Sequence, residues 1–476
     1  MIPLFILPLF HLLAGLLFIA LPPARGPGWL NLAASTIGGG LAIAIAINPP
    51  PGDPLLFLDA LNRPLLALFG ILSITTAVFS VGFLPAEIAS GRLKGWGLRL
   101  YHPLFQSLLA SLSLALIANN LGLLWAAVEA ATLSTILMIA LSRTEAALKA
   151  AWRTFILGGV GIALALFGTI LIYIAAQGVV GTGLAAMTWS ALIQVAGELP
   201  PNLVSLAFVV LLIGYGTKAG LVPMQSWLPD AHAEGPTPIA AVLSGLMLTV
   251  ALYALVRLKS ITGAGSLPPG WPLVALGLAS VLAAGLMLPK RGEIRRFFAT
   301  SSVEQIGLAA VAFGLGGKTM ALVGLLLAIN HMIAKSAVFF ILGRALQLHG
   351  RHPVQALAYR YPLMGWSLVL LIASLLGLPP FLGFAPKVTL VSGIAAHAPL
   401  LLIPLVAGLL LVAVALVTRL NETVFARPQT QEQLPALSHG WTLYGPLGIH
   451  IGLLVASGLS LGPLQSLLVA AAEVAR

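Results

Sequence analysis

Long apolar runs recur from one end of this 476-residue chain to the other, parted by short polar segments and interrupted by few charges. A helix needs roughly 20 apolar residues to cross the hydrocarbon core of a bilayer, where every backbone polar group must be satisfied within the segment itself. The pattern predicts fourteen such spans, at residues 3–21, 31–48, 64–84, 103–119, 121–142, 152–175, 203–225, 237–257, 271–289, 299–316, 319–343, 361–397, 399–419 and 444–468. The longest polar connections, near 85–102, 176–202 and 420–443, carry no core-forming pattern of their own. The expected fold is therefore an all-α polytopic membrane protein without a soluble domain.

Composition narrows the picture further. With 59% hydrophobic residues, 8% charged residues and a mean hydropathy of +1.03, the chain is excluded from the water-soluble globular enzymes. Loops after odd-numbered spans hold sixteen of the 24 lysines and arginines, running from Arg25, Arg92 and Arg143 through Arg291 and Arg351 to Arg427. Loops after even-numbered spans hold four, Arg63, Arg257, Lys259 and Lys318. Basic loops stay inside, so both termini are expected on the outer side of a bacterial- or archaeal-type cytoplasmic membrane. The net charge of +11 then reads as loop charge facing anionic headgroups, with no basic domain to hold nucleic acid. Zero cysteines rule out disulfides and cysteine-ligated iron–sulfur clusters, so any electrons must run through partner subunits. No basic segment precedes the first apolar run, which is expected to remain as a span.

Apart from the terminal Arg476, three basic residues belong to no loop: Lys218, Lys335 and Lys387. An ammonium at bilayer depth costs about 2.5–3.5 kcal/mol on insertion scales, and residues kept at that cost mark ion pathways. Lys218 sits within Gly214-Tyr-Gly-Thr-Lys-Ala-Gly-Leu-Val-Pro223, and Lys387 follows Gly377-Leu-Pro-Pro-Phe-Leu-Gly-Phe-Ala-Pro386. Proline removes a backbone donor and clashes with the preceding turn, so both spans are expected to break beside their lysines and free carbonyls for an ion or water.

The rare acids repeat in step with these lysines. Glu129 precedes Lys218 by 89 residues and Glu304 precedes Lys387 by 83, each acid in the second and each lysine in the fourth helix of a five-helix group. An odd number of helices points consecutive copies opposite ways, which predicts two inverted repeats. The expected organisation is spans one to three within 1–102, a first repeat at 103–258, a second at 271–420, and a linker with the last span at 421–476.

Glu129 is too deep in its span to reach water along the helix, so it must be paired, protonated or hydrated, and Lys218 is its natural partner. A pair that closes and opens passes one proton per cycle; a pair that never opens is a static interhelical tie. His331 and Lys335 are four residues apart and share one helix face, the arrangement of a relay between the two half-sites. Glu304 has two readings, a member of the second site or an interfacial residue near Arg295 and Arg296. Asp230, His232 and Glu234 lie in a proline-rich segment after the first break and read either as a hydrogen-bonded cap or as a guard at the proton entrance. His349-Gly-Arg-His352 lacks carboxylate and cysteine neighbours, and no phosphate loop, nucleophile elbow or zinc motif is present, so neither metal nor cofactor is expected.

These strings resemble a known family. Trp227-Leu-Pro-Asp-Ala-His-Ala-Glu234, Pro236-Thr-Pro238 and Asn330-His-Met-Ile-Ala-Lys335 are similar to the antiporter-like, proton-translocating membrane subunits of respiratory complex I, membrane-bound [NiFe] hydrogenases and multi-subunit cation/proton antiporters. Within that family, Asn119-Asn-Leu-Gly-Leu-Leu-Trp125, Glu129-Ala-Ala-Thr-Leu133, Phe155-Ile-Leu-Gly-Gly-Val-Gly-Ile-Ala163 and the Lys218 segment most resemble component F of hydrogenase-4 and its relatives. The resemblance implies fourteen helices and a proton relay on Glu129, Lys218, His331, Lys335 and Lys387. It also implies a lysine in the eighth span, where this chain has Leu246-Met-Leu-Thr-Val-Ala-Leu252, so Thr249 is expected in its place with water bridging the centre.

The expected function is that of a proton-translocating subunit of a redox-driven complex, hydrogenase- or complex I-like, with no redox centre of its own. Its partners would be other membrane subunits, a peripheral redox arm and the lipid bilayer. The alternatives are a subunit of a multi-subunit cation/proton antiporter and the membrane subunit of an inorganic-carbon uptake complex.

Overall fold

The computed structural model describes residues 2–21, 27–263, 265–290, 292–350, 354–427 and 440–475. Arg25, Arg291, Arg351, His352 and Arg476 lie outside these. Among the described residues the chain is helical, and its β pairing is limited to two isolated bridges, Leu56 with Ala118 and Asn120 with Thr188.

The principal helices are α1 (Ile6–Ala20), α2 (Pro27–Ile47), α3 (Asn62–Ala89), α4 (Trp96–Ile117), α5 (Leu121–Ile139), α6 (Glu145–Val180), α7 (Pro201–Ala219) and α8 (Leu228–Glu234). They continue as α9 (Thr237–Ile261), α10 (Gly270–Met287), α11 (Ile294–Leu315), α12 (Gly317–His349), α13 (Pro362–Leu376), α14 (Phe384–His397), α15 (Leu402–Leu420), α16 (Trp441–Leu459) and α17 (Gln465–Ala475). Twelve helices among the described residues are long and apolar enough to cross a membrane. The difference from fourteen has a geometric cause. The run at 3–21 forms a helix of only 15 residues, and the run at 361–397 divides into helices of 15 and 14 residues.

Burial orders the bundle. The spanning windows of α9 and α12 are wholly buried and that of α11 nearly so, whereas α15 buries 28% of its window and presents Ile403, Leu410 and Val414 outward. Outward leucine and valine match lipid, and the interior is where the polar groups collect. Small residues set the helix spacing: a Cβ on Gly277 would come within 2.7 Å of the Gly307 carbonyl, so α10 and α11 touch backbone to backbone.

Both expected breaks are present and are built alike. α7 ends at Gly220 (φ 78°, ψ 27°) and α13 at Gly377 (φ 80°, ψ 46°), left-handed conformations that cost glycine little. In each, the next amide reaches back over the last turn, Leu221 N–H to Gly216 O at 2.9 Å and Leu378 N–H to Ala373 O at 2.9 Å.

Arg257, Lys259 and Arg344, counted above with the loops, are buried within helices. Arg257 lies in the last turns of α9, 2% exposed, and donates to both Asp59 carboxylate oxygens at 2.6 Å and to the Tyr253 hydroxyl at 3.1 Å. Its guanidinium also stands 4.4 Å from the Trp189 ring centroid and 4.8 Å from that of Phe57. The loop assignment of Arg257 is therefore corrected: a partner 198 residues away lets the charge stay inside. Asp59→Ala strands that guanidinium and is expected to destabilise the fold by about 3 kcal/mol or more. Thermal unfolding in detergent checks this, with Asp59→Glu falling between the two; an unchanged midpoint for Asp59→Ala would make the pair incidental.

Candidate ion-translocation site

Lys218 occupies the last turn of α7, two residues before the break at Gly220, and is 1% exposed. A helix C-terminus carries partial negative charge from its unpaired carbonyls, so the backbone supplies part of what a cation needs there. Its ammonium has no hydrogen-bonding or ion-paired partner among the described residues. It rests against Gly158 of α6, where a Cβ would come within 2.8 Å of Nζ. Around it is a cavity of about 10 Å³ lined by Thr132, Thr135, Thr154, Trp227, Leu243 and Met247. Glu129, on α5, is half-buried, with Oε2 enclosed and without a protein partner. The two groups lie within electrostatic reach of each other, yet no salt bridge joins them. The structure holds this pair open.

The second site is closed. Lys387 stands in the first turn of α14, a helix N-terminus that disfavours a cation, and here it has firm partners. Its Nζ lies 3.3 Å from Glu304 Oε1 and donates to the Leu375 carbonyl at 2.6 Å, in the last turn of α13. Glu304 is fully buried, and its other oxygen accepts from Gln305, whose amide also donates to Leu375 O at 3.0 Å. Glu304 thus pairs with Lys387, while Arg295 and Arg296 pair with Glu293, Asp230 and Glu234. Asn330 fastens the same break: its Oδ1 accepts from the Ser374 hydroxyl at 2.6 Å.

Between the two sites runs α12, with His331 and Lys335 both fully buried. Lys335 donates to Phe298 O at 2.7 Å and to the Ser301 hydroxyl, so its nearest acceptors are neutral groups of α11. Neither ring nitrogen of His331 has a protein partner among the described residues. His331 lies within electrostatic reach of Lys335 and of His232, and Lys335 within reach of Glu304 on α11 and Lys387 on α14.

The proline-rich segment divides. Asp230 pairs with Arg153 of α6 and Arg296 of α11, and Glu234 pairs with Arg296 at 2.9 Å, so these acids tie helix ends together as a cap. His232 instead points inward. It is fully buried, donates Nδ1–H to Leu228 O at 2.8 Å, packs 5.2 Å from the Phe339 ring, and leaves Nε2 without a protein partner. Thr249 bonds Gly245 O at 3.1 Å and faces Leu61, Leu65, Phe313 and Leu325, an apolar surround that none of the relay groups lines. The supporting hydroxyls and amides, Ser301, Gln305 and Ser374, escaped the sequence reading because they become visible only as neighbours of a lysine on another helix.

The stretch from Ala118 to Val412 holds both sites, and it is matched by the family model described as "NADH:quinone oxidoreductase/Mrp antiporter, TM". The chain belongs to this family. A "Hydrogenase-4 component F homolog" of Methylacidiphilum infernorum is 42% identical over 96% of this chain and 96% of its own length. "NADH-quinone oxidoreductase subunit 14" of Thermus thermophilus is 31% identical over 80% of each chain. Among solved structures, a chain of the archaeal membrane-bound sulfane sulfur reductase superposes with a TM-score of 0.84 at 22% identity, covering 99% of this chain and 96% of that one. That likeness shows the fold alone, a bundle of apolar helices.

Proposed function

We propose that this chain is the proton-translocating, antiporter-like membrane subunit of a redox-driven complex of the hydrogenase or complex I kind. The names of its relatives support the class of complex, and the twinned lysine sites support the activity. The observation that carries the reading is that two buried lysines, each at a broken helix and each with its own acid, occur one open and one closed in the same molecule. In a translocation cycle each pair alternates between those states. Opening frees the lysine to exchange its proton, and the buried His331–Lys335 face carries the proton between the halves. Two inverted repeats, at 103–258 and 271–420, are the organisation we infer from the matching breaks at Gly220 and Gly377. The excess of lysine and arginine at the end holding Arg153 and Arg296 supports placing that end in the cytoplasm and both termini outside.

The test is proton uptake by vesicles holding the purified complex. Glu129→Gln is expected to impair uptake at least tenfold and Glu129→Asp far less, since only aspartate keeps a titratable group. Equal loss in both would favour a static tie. The proteins that co-purify in mild detergent separate the class of complex: a nickel–iron or flavin-bearing peripheral arm is expected, and its absence would point to a cation/proton antiporter.

A further inference from the structure

Two basic side chains are buried in the last turns of α9, and only one of them has a counter-charge. Arg257 has Asp59, whereas Lys259, 8% exposed, makes no hydrogen bond and no ion pair among the described residues. An unpaired ammonium withdrawn from water is costly to keep. The carbonyls at the end of its own helix offset this only in part, since those of Leu258 and Lys259 already accept from the amide and hydroxyl of Thr262 at 3.1–3.2 Å.

Lys259 lines a cavity of about 620 Å³, at the end of α9 opposite the Arg153–Arg296 cluster. Trp189, Ser260, Trp271, Val274 and Glu473 share its wall. Two of these polar groups are already engaged: Ser260 donates to Arg257 O at 2.7 Å, and Glu473 pairs with Lys318 at 2.5 Å. The cavity also receives the start of α10. Gly270 and Trp271 line it, no side chain caps this helix, and the Trp271 amide has only a 3.4 Å contact with Pro268 O. Unpaired N–H groups at a helix start attract an anion, and the buried Lys259 ammonium adds a full charge of the same sign. The missing group is therefore negative and accepts hydrogen bonds.

Depth and shape select what carries it. Thr237 to Lys259 is about 33 Å of helix, slightly more than the ~30 Å hydrocarbon core, so the ammonium lies at headgroup level. Tryptophan gathers at that level, and Trp271 reaches from the cavity wall to the surface, 58% exposed. Ala275 and Ala279 follow it on the same outward face of α10, a shallow strip that leaves room for a hydrocarbon chain. We propose that this cavity binds the headgroup of an anionic phospholipid, its phosphate on Lys259 and the first amides of α10 and an acyl chain along Ala275 and Ala279. A zwitterionic lipid would bring its own cation beside Lys259 and is disfavoured. The inference stands on the membrane-spanning fold and is independent of the proton-translocation reading.

Photolabelling of the purified complex in vesicles is the test. Phosphatidylglycerol and phosphatidylcholine carrying the same photoreactive acyl chain are compared, and the labelled peptides are mapped by mass spectrometry. Label at 271–279 from phosphatidylglycerol is expected to exceed that from phosphatidylcholine about fivefold, the preference that one lysine gives an anionic headgroup. Lys259→Gln should bring it down to the phosphatidylcholine level, Lys259→Arg should keep it, and label elsewhere on the chain should not change. Equal labelling by the two lipids overturns the site even if Lys259→Gln does not assemble, and so does full labelling in an assembled Lys259→Gln complex. Label displaced by excess inorganic phosphate would make the occupant a free anion, and no lipid label at 271–279 would leave the cavity to a neighbouring subunit; either result overturns the lipid assignment.

Discussion

Replacing Lys218 with alanine is expected to reduce proton uptake to the background rate while the complex still assembles. Lys218 Nζ makes no hydrogen bond and no salt bridge with the protein, so its removal leaves no partner unsatisfied. The side chain is 1% exposed, and losing it also removes the cost of holding an ammonium away from water. The lost volume adjoins a cavity already walled by Thr132, Thr135 and Thr154, which can admit water in the lysine's place. The variant therefore strands no polar partner, and what it removes from function is exchange of the lysine's proton. Gel filtration of the purified complex separates the two effects. Uptake near wild type would take Lys218 out of the pathway, and a complex that fails to form would make it a structural residue.

Lys387→Met is expected to behave in the opposite way and to damage the fold as well as the activity. Glu304 is fully buried, and Lys387 is its ion-pair partner, at 3.3 Å. Removing one member of a buried pair leaves the other charge uncompensated and costs roughly 3–5 kcal/mol. Gln305 still donates to the carboxylate, but an amide supplies no opposing charge. Adding Glu304→Gln removes the stranded charge, so the double variant should recover most of the thermal stability and none of the translocation. A single variant as stable as wild type would mean that the Lys387–Glu304 contact is not maintained in the working protein. The contrast between the lysines follows from their helix ends: Lys218 has the C-terminal carbonyls of its own half-helix, while Lys387 lies at an N-terminus and must be held from elsewhere.

The sequence by itself determined what depends on local chemistry. Hydropathy decided that the chain lies in a membrane as helices, because lipid leaves the backbone no other way to satisfy its polar groups. Glycine and proline around Lys218 and before Lys387 marked both breaks, since their backbone preferences act within a turn. The rarity of charge in apolar runs singled out Glu129, Lys218, His331, Lys335 and Lys387. Tertiary structure alone decided which charges meet. Arg257 looked like loop charge until Asp59, 198 residues away, appeared against it, and Glu304 looked as much interfacial as central until α14 brought Lys387 to it. The segment Leu243-Ser-Gly-Leu-Met247 reads as ordinary apolar helix, yet it forms a π turn where Ser244 meets Ser302 and Ser336 donates to Ala241 O just before it. Periodicity along one helix carries no record of such contacts. They are set by how buried helices approach one another, where each unpaired polar group must find its partner across the interface.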